Sequence, residues 1–176
     1  MAKTINDEFM QQVATEQAWK KLTEDYAWTE ALLEKYSDKL DWKSISSNRA
    51  IRWTVPMLKK FSSKLDWKEL SRIIDNDWFT EAHLEAFKDK WDWAMLASNY
   101  LLSDRLIDKY TDYIDWTAFI GAEGFYCGLP RDESFDAISF YEKYKEHISM
   151  STFHNSDLWD KIVEQRRKQL LAEILS

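Results

Sequence analysis

Four Asp-Trp dipeptides punctuate the chain: Asp41-Trp42, Asp66-Trp67, Asp92-Trp93 and Asp115-Trp116. The tryptophans are 25, 26 and 23 residues apart. Self-similarity at a period of this size is the signature of a repeat architecture. The first copy reads Trp28-Thr-Glu-Ala-Leu-Leu-Glu-Lys-Tyr36, followed by Ser-Asp-Lys-Leu40-Asp41-Trp42-Lys-Ser-Ile45-Ser46. The second echoes it from Trp53 through Phe61 and Leu65-Asp66-Trp67 to Leu70-Ser71, the third from Thr80 to Leu96, and the fourth from Ser103 to Phe119. A degenerate fifth copy, Phe140 to Phe153, carries Ser149-Met150 where the others carry Asp-Trp.

Each recurring position has a physical reason. Thr29, Thr54, Thr80 and Ser103 precede helical runs, where a short hydroxyl accepts a free N–H of the first turn. Leu32 or Leu33 with Tyr36, Leu58 with Phe61, Leu84 with Phe87, and Leu106 with Tyr110 share one helix face at spacings of three or four. The Asp of each Asp-Trp suits the N-cap of a second short helix and the positive end of its dipole. Trp42 with Ile45, Trp67 with Leu70, Trp93 with Leu96, and Trp116 with Phe119 give that helix an apolar stripe. The repeat is a hairpin of two short helices, which are unstable alone and must stack on their neighbours. The expected fold is all-α, a short αα-hairpin solenoid with capping helices at both ends. These tryptophans are expected in the core, because a fixed helical phase disfavours a row of exposed stacking platforms.

The 176 residues are read as one domain. Residues 6–27 form an N-terminal cap, read as a hairpin that starts at Asn6 with Ile5 and Met10 as a hydrophobic staple. Repeats occupy 28–120, an insertion 121–132, the fifth repeat 133–156, and a capping helix 157–176. All three glycines fall in the insertion, together with Phe125, Tyr126 and Leu129, apolar residues suited to anchoring a partner or sealing a kink. The last helix has a broad apolar face and a cluster of Arg166, Arg167 and Lys168, read as solvated.

The formal net charge of −7 opposes non-specific binding of nucleic acid, which requires excess Lys and Arg. Its distribution is uneven. Residues 28–77 hold ten basic and eight acidic side chains, net +2, and 78–121 hold four and eight, net −4. Arg49, Arg52 and Arg72, with Lys59 and Lys60, form a candidate basic patch. The single cysteine, Cys127, cannot form an internal disulfide. With no apolar run of the ~20 residues that span a bilayer and a polar start unlike a signal peptide, the expected setting is cytoplasmic, without membrane contact.

No catalytic constellation emerges, and no cofactor is expected. His83 lies in Glu81-Ala-His-Leu-Glu85, which is not a metal-binding His-Glu-x-x-His. His147 and His154, even with Cys127 or Asp157, match no established zinc spacing. Gly121-Ala-Glu-Gly124 lacks the Lys of a phosphate loop. The four recurrent aspartates have capping work to do.

The phrase Asp38-Lys-Leu-Asp-Trp-Lys-Ser-Ile-Ser46, echoed at Ser63-Lys-Leu-Asp-Trp-Lys-Glu-Leu-Ser71, resembles a short tandem repeat of uncharacterised proteins from Bacteroidetes-type bacteria, their phages and some large DNA viruses. The resemblance covers residues 28–120 and, more weakly, 135–155. It implies a helical solenoid with a protein partner, and it transfers no catalytic residue. The expected function is a non-catalytic protein-binding module, with a dedicated inhibitor of a nucleic-acid enzyme as the alternative.

Overall fold

Hydroxyl and carboxylate caps set the helix starts, as the repeat pattern requires. The computed structural model describes residues 8–74, 78–99, 102–121 and 135–175. Among these the regular structure is helical, with one isolated bridge between Gly121 and Ser156. The elements are α1 (Glu8–Asp25), α2 (Glu30–Lys35), α3 (Trp42–Ser47), α4 (Val55–Phe61), α5 (Trp67–Arg72), α6 (Glu81–Ala86), α7 (Trp93–Asn99), α8 (Asp104–Lys109), α9 (Trp116–Ile120), α10 (Ala137–Tyr144), α11 (Met150–Phe153) and α12 (Asp157–Leu175). A 3-10 turn, Lys145–His147, links α10 to α11.

All four recurrent aspartates cap. Asp41 accepts from the Ser44 N–H at 3.2 Å, Asp66 from Glu69 at 3.1 Å, Asp92 from Met95 at 3.0 Å and Asp115 from Ala118 at 3.0 Å. In the fifth repeat Ser149 takes over the task, accepting from the Thr152 N–H at 3.2 Å. Thr29 and Thr54 accept from Leu32 and Met57. Ser103 stands at the N-cap of α8, but its hydroxyl makes no capping bond.

The chain divides into two compact units, Met1–Trp91 and Asp92–Ser176. In the first, α1 packs on α3, α3 on α5, and α4 on α6, so second helices stack on second helices and first on first. In the second unit α7 packs on α9, α9 on α11, and α10 on α12. Leu33, Ile45, Leu58, Leu70 and Leu84 are fully buried in the first unit, and Leu96, Ile107, Phe119 and Leu158 in the second.

Three expectations need correction. Residues 8–25 make one continuous helix, not a hairpin. The stretch contains neither Gly nor Pro and is rich in Ala, Gln, Glu and Lys, so nothing interrupts helix propagation. Asn6 and Ile5 lie outside the described residues. The second correction concerns α12, which shields its neighbours only near its start. Leu158 is buried, whereas Leu170, Leu171, Ile174 and Leu175 are exposed.

The third correction concerns the indoles. Trp42, Trp67 and Trp93 are half-buried, and of the Asp-Trp tryptophans only Trp116 is buried. The other buried indoles are Trp28, Trp53, Trp78 and Trp91, with Trp53 the deepest. Trp28 and Trp53 immediately precede a Thr cap, where the entering chain points inward. Trp42, Trp67 and Trp93 begin their helices, at the edge of the stack.

Candidate interaction surface

Each Asp-Trp indole sits at the first position of a two-turn helix, where its ring overhangs the turn before it. The ring N–H reaches back to a carbonyl five residues earlier: Trp42 to Ser37 at 3.0 Å, Trp67 to Ser62 at 3.1 Å and Trp116 to Thr111 at 3.1 Å. Its polar edge is thereby satisfied and its faces remain to be covered. One is covered by the aromatic that ends the first helix of the following repeat. Centroid distances are 5.2 Å for Trp42–Phe61, 5.0 Å for Trp67–Phe87, 5.5 Å for Trp93–Tyr110 and 5.0 Å for Trp116–Tyr144. In α1, Trp19 plays the same part toward Tyr36 at 5.4 Å.

The residue three places beyond that aromatic also reaches the indole. Lys39 lies 5.5 Å from the Trp19 ring, Lys64 5.3 Å from Trp42, and Lys90 5.3 Å from Trp67. An ammonium over an indole face is attracted by the ring quadrupole. Lys64 also donates to the Ser37 hydroxyl, and Lys90 to the Ser62 hydroxyl. In the second unit the position holds Tyr113, 5.6 Å from Trp93, and His147, stacked 5.7 Å from Trp116. The lysine two places before each Asp-Trp, Lys39, Lys64 or Lys90, therefore serves the preceding helix pair. The fixed Lys-x-Asp-Trp spacing was the available signal, but that lysine was assigned no role from the sequence.

The turns between repeats are held by committed polar groups. The Ser46 hydroxyl donates to the Trp42 carbonyl at 2.6 Å and accepts the Asp66 N–H at 2.9 Å, joining two repeats. Asn48 is buried and donates to the Thr23 and Tyr26 carbonyls at 2.9 and 3.0 Å, while its Oδ1 accepts the Ala50 N–H at 2.8 Å. Hydrogen bonding from the Ser44 hydroxyl is the main cause holding the Asp41 carboxyl below its ordinary range.

His83 is buried and plays the capping-box role in which Glu or Gln is usual. The Thr80 N–H donates to His83 Nδ1 at 3.2 Å. A backbone N–H can only donate, so Nδ1 carries the lone pair and Nε2 carries the proton. Nε2 donates to the Trp53 carbonyl at 3.0 Å. Burial depresses the His83 pKa, partly opposed by the hydrogen bond to Trp53.

Two members of the candidate basic patch, Lys60 and Arg72, are paired with carboxylates. Arg49 and Arg52 are exposed on the connection between α3 and α4, and Lys59 is exposed on α4. Arg72 is committed to Glu69, through Nε at 3.0 Å and Nη2 at 2.9 Å. Lys60 bridges Glu30 at 3.0 Å and Glu34 at 2.8 Å, and these bonds raise its pKa, Glu34 most. Phe125, Tyr126 and Leu129 lie outside the described residues, as does Cys127.

Of the remaining histidines, His147 stacks on Trp116 and His154 packs 5.1 Å from the Trp159 ring. Among the described residues no group of three His, Cys, Asp or Glu is arranged to hold a metal ion, and no helix is long and apolar enough to cross a membrane. The polar cluster in the second unit is a tether: Asp108 accepts from Lys143 at 2.7 Å and from the Tyr144 hydroxyl at 2.7 Å, which keeps its carboxyl acidic.

The surface that recurs is therefore a lysine-covered indole edge, set by the repeat and presented three times in the first unit. The chain matches no protein-family model, and no curated protein or solved structure is significantly similar to it.

Proposed function

We propose that this chain works by binding a protein partner, with no catalytic step and no cofactor. The observation that carries the reading is the periodic face on which Lys39, Lys64 and Lys90 cover half-buried indoles. A rigid, repeated surface suits recognition of an extended partner, because contacts recur at the spacing of the repeat. The same reading explains why conspicuous polar side chains serve turns and caps instead of converging on a cleft. Arg49, Arg52 and the insertion residues Phe125, Tyr126 and Leu129 are further candidate contacts. The setting that fits a single cysteine is the cytoplasm.

Affinity capture from the source cells with the parent chain and a Lys39→Glu, Lys64→Glu, Lys90→Glu variant tests this reading. A partner held by the parent and lost by a folded variant is the expected result. Identical capture by both removes the lysine face from the proposal, and turnover of a substrate by the pure chain removes the proposal itself.

A second reading is a dedicated inhibitor that occupies a basic groove of a nucleic-acid enzyme. It is favoured by the net charge of −7 and by the four basic against eight acidic side chains in 78–121. Opposite charge steers association, so its on-rate should fall steeply as salt rises. An on-rate unchanged between low and physiological salt rules against it.

A further inference from the structure

Three indoles of the first unit are each flanked by two ammonium groups. Lys20, Lys43 and Lys68 directly follow Trp19, Trp42 and Trp67, and Lys39, Lys64 and Lys90 reach the same three rings from the repeat that follows. All six lysines are exposed. Among the described residues none of them lies within ion-pair distance of a carboxylate, whereas Lys60, Arg72 and Lys143 are each held by one.

The lysines are separable from the fold. In the second unit Trp93 and Trp116 keep their aspartate caps and their aromatic covers, yet Ala94 and Thr117 follow them and Tyr113 and His147 reach their rings. The hairpin therefore forms without either lysine. Glu16, Asp38, Asp41, Asp66 and Asp89 adjoin the six lysines, but several are already engaged. Asp41 and Asp66 are turned onto N–H groups of their own helices, where the helix dipole offsets their charge. Glu16 accepts from Gln12 at 3.0 Å. The ammonium groups thus exceed the carboxylates left open to a partner.

We infer that this lysine-flanked row binds an extended acidic protein segment with a carboxylate at every third residue. The inference rests on the protein-binding reading above and names the chemistry of the partner. Because α1 packs on α3 and α3 on α5, the lysine pairs advance by one helix-packing distance per repeat, about 8–10 Å. A segment in the polyproline II conformation presents the same side every three residues, about 9 Å along its axis. Each turn of such a segment can set one carboxylate against one lysine pair. A nucleic-acid strand suits the row less well. Base stacking needs an open aromatic face, and each of these indoles already packs an aromatic ring of the following repeat and an ammonium group against it. The net charge of −7 opposes a polyanion as a whole.

Fluorescence anisotropy with a labelled peptide of repeated Glu-Pro-Ser triplets tests the inference on the full chain at low salt. The peptide should bind, and more tightly than one of the same composition with its glutamates in a block. The Lys20→Gln, Lys43→Gln, Lys68→Gln variant removes only lysines that do not cover a ring. It should keep the parent far-UV circular dichroism spectrum and bind on the order of tenfold more weakly, as for three exposed ion pairs. A Lys35→Gln, Lys59→Gln, Lys168→Gln variant loses the same charge from other helices and should bind like the parent. No binding at millimolar peptide overturns the inference, as does equal weakening by the two variants or a block peptide that binds as tightly. Tight binding of oligothymidylate with none of the peptide also overturns it, in favour of nucleic acid. A cellular partner captured by the parent and lost on charge reversal of Lys39, Lys64 and Lys90, with no peptide binding, leaves the protein-binding reading standing and removes the acidic segment alone.

Discussion

Lys64 Nζ stands 5.3 Å from the centre of the Trp42 indole while Phe61, three residues earlier, covers the same ring at 5.2 Å. One short segment of the second repeat thus supplies both covers for a side chain of the first. The lysine also donates to the Ser37 hydroxyl, so its position is fixed at both ends of the contact. The coupling between Lys64 and Trp42 is measurable by a double-mutant cycle. Lys64→Met and Trp42→Leu should show a coupling of about 0.5–1 kcal/mol, the size of an exposed cation–π contact. Additive losses in urea unfolding would mean that the ammonium and the ring do not interact.

The inner and edge tryptophans should differ in cost. Trp53 is 1% exposed, and Trp53→Ala should destabilise by roughly 3–5 kcal/mol, as for large aromatic truncations in a core. The half-buried Trp67 loses less contact on truncation, and Trp67→Ala should cost about 1–2 kcal/mol less than Trp53→Ala. Equal losses in chemical denaturation would place Trp67 in the core.

The ring N–H of Trp53 is buried without a hydrogen-bond partner, whereas that of Trp28 donates to the Leu22 carbonyl at 2.9 Å. Replacing each by Phe removes a similar volume but only one satisfied bond. Trp28→Phe should therefore cost about 1 kcal/mol more than Trp53→Phe, the net value of a typical hydrogen bond. Thermal unfolding of the two variants side by side is the check.

Acid should weaken the third repeat through His83. Its folded pKa lies below the ordinary 6.5, because burial disfavours the charged ring. The unfolded chain then binds the proton more readily than the folded one. Stability from this group is complete above about pH 6.5 and declines as pH falls toward and through the lower folded value. Protonated Nδ1 would also face the Thr80 N–H, a donor against a donor. His83→Gln should flatten that part of the stability–pH profile, and an unchanged slope between pH 7 and 5 would exclude His83 as its source.

Gly121 ends α9 at a point where a methyl group has no room. A Cβ built there falls 2.6 Å from the Thr117 carbonyl oxygen, the acceptor of the Gly121 N–H at 3.0 Å. Gly121→Ala must shift backbone and should destabilise by about 1–3 kcal/mol, the usual cost of overpacking. A melting temperature equal to that of the parent would show that the end of α9 yields freely.

The helical hairpins, their aspartate caps and their phase were readable because each rests on contacts within about ten residues. Asp41 with Ser44, and Leu58 with Phe61, are decided by local spacing. Burial of Trp42 was misjudged because its covers come from the next repeat, at Phe61 and Lys64. Spacing gives the face of a helix but not how far that face lies from the edge of a stack. Arg72 was read as a member of a basic patch, although Glu69 one turn earlier could have signalled the pair. His83 defeated the reading for a different reason: its second partner is the Trp53 carbonyl, thirty residues away.

The Ser46 hydroxyl, which holds the Trp42 carbonyl and the Asp66 N–H together, implies a rule for how such a chain lengthens. A whole period carries the Asp N–H as a donor for the copy behind it and the Ser hydroxyl as an acceptor for the copy ahead. Tandem duplication by a whole period leaves every seam chemically matched, whereas insertion of a fraction of a period separates the hydroxyl from its partner N–H. Growth by whole periods is thus written into a single hydroxyl group, which the third copy, with Ala97 at that position, has given up.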